Sequence, residues 1–136
     1  MRFDTKIAVA VREGLAAWQE LNVTAFLASA VAGGAPETIG KPYEDAAGTA
    51  YLPMFRQPVL VYTATAEQLV AVREKAVARE LAVAVYTAGM FTTDNDDDNR
   101  AVVRDAPVDG LDLVGLAVYG PRNRVDKTLK GLALHG

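Results

Sequence analysis

The sequence predicts an α/β protein in three layers, α/β/α, with a mixed sheet of about four strands. Three observations predict it. Four short valine-rich runs recur along the chain, segments with helical spacing separate them, and no linker, repeat or low-complexity tract interrupts the alternation. Residues 1–136 therefore read as a single domain.

Lys6 to Val11 (KIAVAV) is apolar almost throughout and ends at Arg12-Glu13-Gly14, as expected of a strand buried on both faces. Leu15 to Ala32 is long, alanine-rich and closed by Gly33-Gly34, which suits a helix stopped by glycine. Trp18, Leu21, Ala25, Ala28 and Ala32 share one side of it. Val23, Phe26, Ala30 and Val31 widen its apolar surface, so burial on more than one side is expected, by the sheet and by a second subunit. Core packing is the expectation for Trp18, more than for Tyr43, and Ser29 is expected to be packed in mid-helix.

Ala35 to Pro53 carries turn residues without a period and reads as an extended surface loop, a candidate lid. Gln57 to Thr63 is the second strand. Thr65-Ala66-Glu67-Gln68 is a capping box opening a helix with Leu69, Val72 and Ala76 on its buried stripe. Leu81 to Thr87 is the third strand and Leu111 to Tyr119 the fourth. Gly120-Pro121 then starts a last helix with Val125, Leu129 and Leu132 at helical spacing.

Composition narrows the chemistry. The 136 residues hold 14 basic and 17 acidic side chains, a net charge of −3, so no global polyanion-binding surface is advertised. No cysteine is present, which removes disulfides, thiolate metal sites and thiol nucleophiles. No signal peptide and no run long enough to span a bilayer is visible, so a cytoplasmic protein without a membrane partner is expected. The one histidine, His135, lies next to the chain end, where a catalytic imidazole seldom finds a rigid setting; it reads as surface decoration. Ser-His-Asp and Cys-His schemes thereby lose their parts. No phosphate loop or dinucleotide fingerprint occurs, and no cofactor is implied.

Two charged segments stand out. Asp94, Asp96, Asp98 and Asp105 match positions one, three, five and twelve of a calcium loop. The sixth position is Asn99 where glycine is needed, and the twelfth is aspartate where glutamate reaches. The reading favoured here is that these aspartates cap and charge the start of a short helix over Asn99 to Asp105, with no metal. Arg122, Arg124, Lys127 and Lys130 follow Gly120-Pro121. They form either a solvated helix face or an anion site, for which Arg122, Arg124 and Lys127 are the candidates. Ligands of open α/β sheets bind beyond the carboxyl ends of strands. That rule selects Arg12, Thr87, Thr92 and Asp94 as candidate reacting groups. Arg12, Trp18, Asn22, Tyr43, Phe91 and Thr93 are the candidate ligand contacts.

Four stretches together resemble the peptidyl-tRNA hydrolase II family: Lys6–Leu15, Gln57–Val61, Leu81–Gly89 and Leu113–Leu134. Arg12, Gly120, Pro121, Asp126, Lys127 and Gly131 match its pattern. More closely, Trp18–Phe26 and Thr93–Asp96 resemble a bacterial family catalogued as domain of unknown function 2000. The resemblance implies a peptidyl-tRNA hydrolase II-like fold, a homodimer, and no known activity. It also marks what is missing. The family's first-helix lysine falls where this chain has Trp18 to Glu20. Its Ala-Gln and His-Ala give way to Val23-Thr24 and Leu27-Ala28, and its aspartate after the third strand to Thr87. Those losses remove the charge that would hold a tRNA end and activate water. Three readings follow, in this order: a module binding a small molecule or peptide, a diverged hydrolase or transferase acting on a small amide or ester, and an RNA-binding protein.

Overall fold

The computed structural model describes residues Arg2 to Gly136. Its order is β1 (Thr5–Arg12), α1 (Ala17–Gly34), β2 (Tyr43–Glu44), β3 (Ala50–Tyr51), β4 (Val59–Ala64), α2 (Ala66–Ala78), β5 (Ala82–Thr87), α3 (Asp96–Arg104), β6 (Leu113–Pro121), α4 (Arg122–Thr128) and β7 (Ala133–Leu134). A five-stranded mixed sheet runs β5-β6-β1-β4-β7. β1 is parallel to β4, while β6 runs antiparallel to both β1 and β5. The carboxyl ends of β1, β4 and β5 therefore share one end of the sheet.

The four expected strands are all present, and the fifth, β7, corrects the expected count. It adds two residues beside Tyr62 and Thr63 of β4. β2 and β3 pair with each other as a hairpin within the segment read as an extended loop.

Alternation along β1 divides the core. Ile7, Val9 and Val11 meet Val23, Leu27 and Val31 of α1 on one face. Ala8 and Ala10 meet Leu69, Val72 and Ala76 of α2 and Val125 of α4 on the other. α2 opens on the expected capping box: Thr65 Oγ1 accepts from the Gln68 amide at 3.1 Å, and Gln68 Oε1 accepts from the Thr65 amide at 2.9 Å.

Within the chain α1 meets the sheet along one side only. Its buried stripe is Val23–Leu27–Val31, whereas Trp18 is 60% and Leu21 72% exposed. Packing for Trp18 is thus corrected, and Ser29 is exposed as well. The reason is local. Gly115 of β6 lies under Val23, and a Cβ there would stand 2.5 Å from Val23 Cγ1. The missing side chain seats the β-branched stripe of α1 against the sheet and turns the Trp18–Leu21 side outward.

α3 starts three residues before the expected Asn99. Its cap is Asn95, whose Oδ1 accepts from the Asp98 amide at 2.8 Å. Asp96, Asp97 and Asp98 occupy the first turn, where the helix dipole favours anions, as the sequence suggested.

Candidate functional site

A cleft of about 970 Å³ opens between α1, β5 and α3, at the upper end of the ~300–1,000 Å³ usual for ligand sites. Asn22, Phe26, Leu27, Ser29 and Ala30 supply the α1 wall. Ala84, Val85 and Tyr86 form the β5 floor. Met90, Phe91, Thr93 and Asp94 come from the connection after β5, and Asn99, Arg100, Val103 and Arg104 face them from α3.

The floor is aromatic. Tyr86 is 2% exposed, with ring centroids 5.8 Å from Phe26 and 5.2 Å from Phe91. Trp18 meets Phe91 edge-on at 5.7 Å. Polar groups are placed within this apolar setting. Asn22 Nδ2 donates to the Tyr86 hydroxyl at 3.1 Å. Burial pushes the Tyr86 phenol above its ordinary range, and the Asn22 bond opposes that in part. The phenol oxygen is thus occupied as an acceptor, while its O–H remains a donor.

α3 forms the far wall and packs chiefly on the 3-10 turn Ala88–Thr92. Gly89 makes the approach possible, since a Cβ there would lie 2.9 Å from Val102 Cγ1. Most charges of α3 are paired locally: Arg100 bridges Asp96 and Asp97, and Arg104 lies 3.3 Å from Asp105 at the helix end, while Asp98 accepts from the Asn95 side chain at 2.9 Å. Asp94 accepts only from the Asn95 side chain and has no cationic partner among the described residues. Those pairings leave the acidic run employed in capping and ion pairs within its own helix, and no group of three His, Cys, Asp or Glu side chains is arranged to hold a metal ion among the described residues.

Asn22, Phe91, Thr93 and Asp94 thus come together around one cleft, with Trp18 behind Phe91. The other candidates lie elsewhere. Arg12 closes the carboxyl end of the sheet, with Nη1 donating to Asp112 at 2.9 Å and to the Leu113 carbonyl at 3.5 Å. Thr87 is 3% exposed at a bulge beside β6, and Thr92 lines a shallower groove with Asp98 and Asp105. Tyr43 sits in the exposed β2–β3 hairpin, and neither it nor any residue of 35–53 lines the cleft. Arg122 Nε donates to the Phe3 carbonyl at 3.0 Å, Arg124 Nη1 reaches the Arg79 carbonyl at 3.5 Å, and Lys127 is exposed. The Arg122 amide is itself bound to the Asp4 carbonyl. These basic groups do not converge on one point. His135 reaches back to α1, with Nε2 3.3 Å from Glu20.

Tyr86, Phe26 and Val103 are cleft residues that the sequence did not single out. Tyr86 reads as an ordinary strand aromatic, and only its position opposite Asn22 gives it a role. The Thr93 hydroxyl bonds the Met90 carbonyl and the Asn99 side chain, and neither partner is a carboxylate or an imidazole. The arrangement can enclose an apolar group and offer it a few directed hydrogen bonds. It shows no nucleophile paired with a base.

No helix among the described residues is long and apolar enough to cross a membrane. None of the curated proteins matches the chain. The solved structure of a protein of unknown function from Agrobacterium tumefaciens strain C58 is 41% identical, with a TM-score of 0.95, over 99% of this chain and 100% of that one. Residues 5–136 match the family model described as protein of unknown function, DUF2000, and the chain belongs to that family.

Proposed function

We propose that the chain is a binding module whose ligand, a small organic molecule or a peptide, enters the cleft between α1, β5 and α3. The observation that carries this reading is the aromatic floor, in which Phe26, Tyr86 and Phe91 surround the Asn22–Tyr86 hydrogen bond. An apolar cavity with few, directed polar groups is the ordinary form of a ligand site. Binding is favoured over turnover because the Thr93 hydroxyl is engaged by the Met90 carbonyl and the Asn99 side chain, neither of which is a base that could activate it. Part of the same reading is a peptidyl-tRNA hydrolase II-like, three-layer frame in a cytoplasmic homodimer. Pairing would use the Leu21–Ala25–Ala28–Ala32 side of α1, which light scattering tests.

The site is tested by thermal shift with indole and benzamide as probes. At tenfold excess over a millimolar dissociation constant, binding adds about 1.4 kcal/mol, or roughly 4 °C for a domain of this size. Ala30→Trp, which places an indole in the cleft from the exposed side of α1, removes the shift. Equal shifts in wild type and variant, or none in either, refute the assignment.

A further inference from the structure

The cleft reaches the edge of the sheet as well as its face. Ala84 belongs to the core on the α1 side and Val85 packs on the opposite side, yet both line the same cavity. Side chains of opposite parity meet one space only along the open edge of the strand between them. β5 is that edge. Among the described residues, no backbone group outside β6 bonds the backbone of Ala82–Thr87, and only the Thr87 amide is otherwise engaged, donating to Met90 Sδ at 3.4 Å; Leu81 and Ala88 on either flank are bonded. Natural edge strands are usually blunted by charge, proline or a covering element. Ala-Val-Ala-Val-Tyr-Thr carries neither charge nor proline, and α3 stands across the cleft from it.

Resting on the binding reading above, we propose that the ligand is an extended peptide segment added as a strand along β5, with one of its apolar side chains in the Phe26–Tyr86–Phe91 pocket. Open N–H and C=O groups supply register-independent affinity, and the aromatic pocket supplies selectivity every second residue. Asp94, at the Thr87 end of the strand and without a cationic partner, favours a lysine, arginine or amino terminus there. A second copy of the chain fits less well. A two-fold interface must be self-complementary, and two facing clefts of about 970 Å³ each would leave the aromatic floors unfilled.

The test is selection from a phage-displayed library of random decapeptides, followed by binding measurements on the synthetic peptides recovered. The expected consensus has apolar residues two apart and a basic residue toward one end. Methylating backbone amides one at a time weakens binding tenfold or more at alternate positions and little at those between. Ala30→Trp abolishes binding while circular dichroism and the melting transition show the fold intact, and Asp94→Asn weakens peptides carrying the basic residue by several-fold. No enriched peptide, peptides indifferent to Ala30→Trp, or tolerance of methylation at every position would each overturn strand addition. A dimer that Ala30→Trp dissociates would instead give β5 to a second copy. Indole or benzamide shifts that persist without peptide enrichment refute the peptide but leave the cleft as a site. Loss of both refutes both.

Discussion

Gly115→Ala tests how α1 is held over the sheet, and with it the geometry of the cleft. The added methyl would lie 2.5 Å from Val23 Cγ1, 3.0 Å from Leu27 Cδ1 and 3.3 Å from the Ala10 carbonyl. Ordinary contact begins near 3.4 Å, so α1 must lift by about 0.9 Å or Val23 must move. Leu27 can swing its terminal methyl aside, but Val23 is β-branched and confined to one rotamer in a helix. Overpacking of this kind costs about 3 kcal/mol, a large share of the roughly 5–15 kcal/mol typical of a domain. Val23→Ala alone leaves a cavity and costs about 2 kcal/mol. In the double variant the new methyl occupies the space Val23 vacates, which relieves both the clash and the cavity, so the cost is about 2 kcal/mol or less and well below the sum. Urea unfolding followed by circular dichroism measures all four corners of the cycle. Strict additivity, or a Gly115→Ala cost below about 1 kcal/mol, would show that Gly115 does not seat the helix. Asn22 adjoins Val23, and the same lift would stretch its 3.1 Å bond to Tyr86 beyond hydrogen-bond range.

Three further outcomes are expected. Asn22→Ala removes a donor to the Tyr86 phenol, so the phenol, already held above its ordinary 10.0 by burial, ionises at still higher pH; phenolate absorbance, with Tyr86→Phe to identify the group, checks the direction. For Lys6, burial lowers the pKa, but hydrogen bonds to Asp126 at 2.6 Å and Tyr62 at 2.9 Å together outweigh it and leave it above 10.5. Because the unfolded chain releases that proton first, the contribution is complete below pH 10.5 and is lost as pH rises through the folded value, a loss that Asp126→Asn abolishes in alkaline urea titrations. Asn95→Ala deletes the cap of α3 at a cost of about 1 kcal/mol. Since α3 packs chiefly on one turn, the cost should emerge as faster hydrogen exchange in Asp96–Arg104 with little change in global unfolding, and an equal slowing or quickening elsewhere would contradict it.

The strands were legible because each is a run of β-branched residues bounded by turn or cap signals, and Thr65 with Gln68 marked the start of α2 to the residue. Two-residue strands have no period to detect, so β7 and the β2–β3 hairpin were not legible. Which side of α1 meets the sheet was not legible for a different reason. Alanine, valine, leucine and aromatic residues occur all round it, so the apolar contrast between its sides is too small to choose one. The choice is made by Gly115, about ninety residues away in sequence, and such a contact leaves no local trace. Asn22, Phe91, Thr93 and Asp94 were marked by residue type and by nearness to strand ends. Tyr86 was not, since its importance lies in pairing with Asn22 across 64 positions.

The location of the cleft has a physical cause that bears on what it can do. Sequence reasoning put the site beyond the carboxyl ends of the strands, where Arg12 and Thr87 lie. In the structure that end is spent on holding the chain together. Arg12 spans to Asp112 and the Leu113 carbonyl, and Ala88 donates to the Asp112 carbonyl. The turn Ala88–Thr92 then carries the chain sideways, and α3 comes to stand off the edge of β5 with Val102 against Gly89. An opening made this way borders an unpaired strand and an aromatic floor, with little fixed charge left over. The opening keeps Arg100 and Arg104 on its wall, each paired with an aspartate close to it in sequence. It suits a ligand that brings its own backbone hydrogen bonds and an apolar side chain.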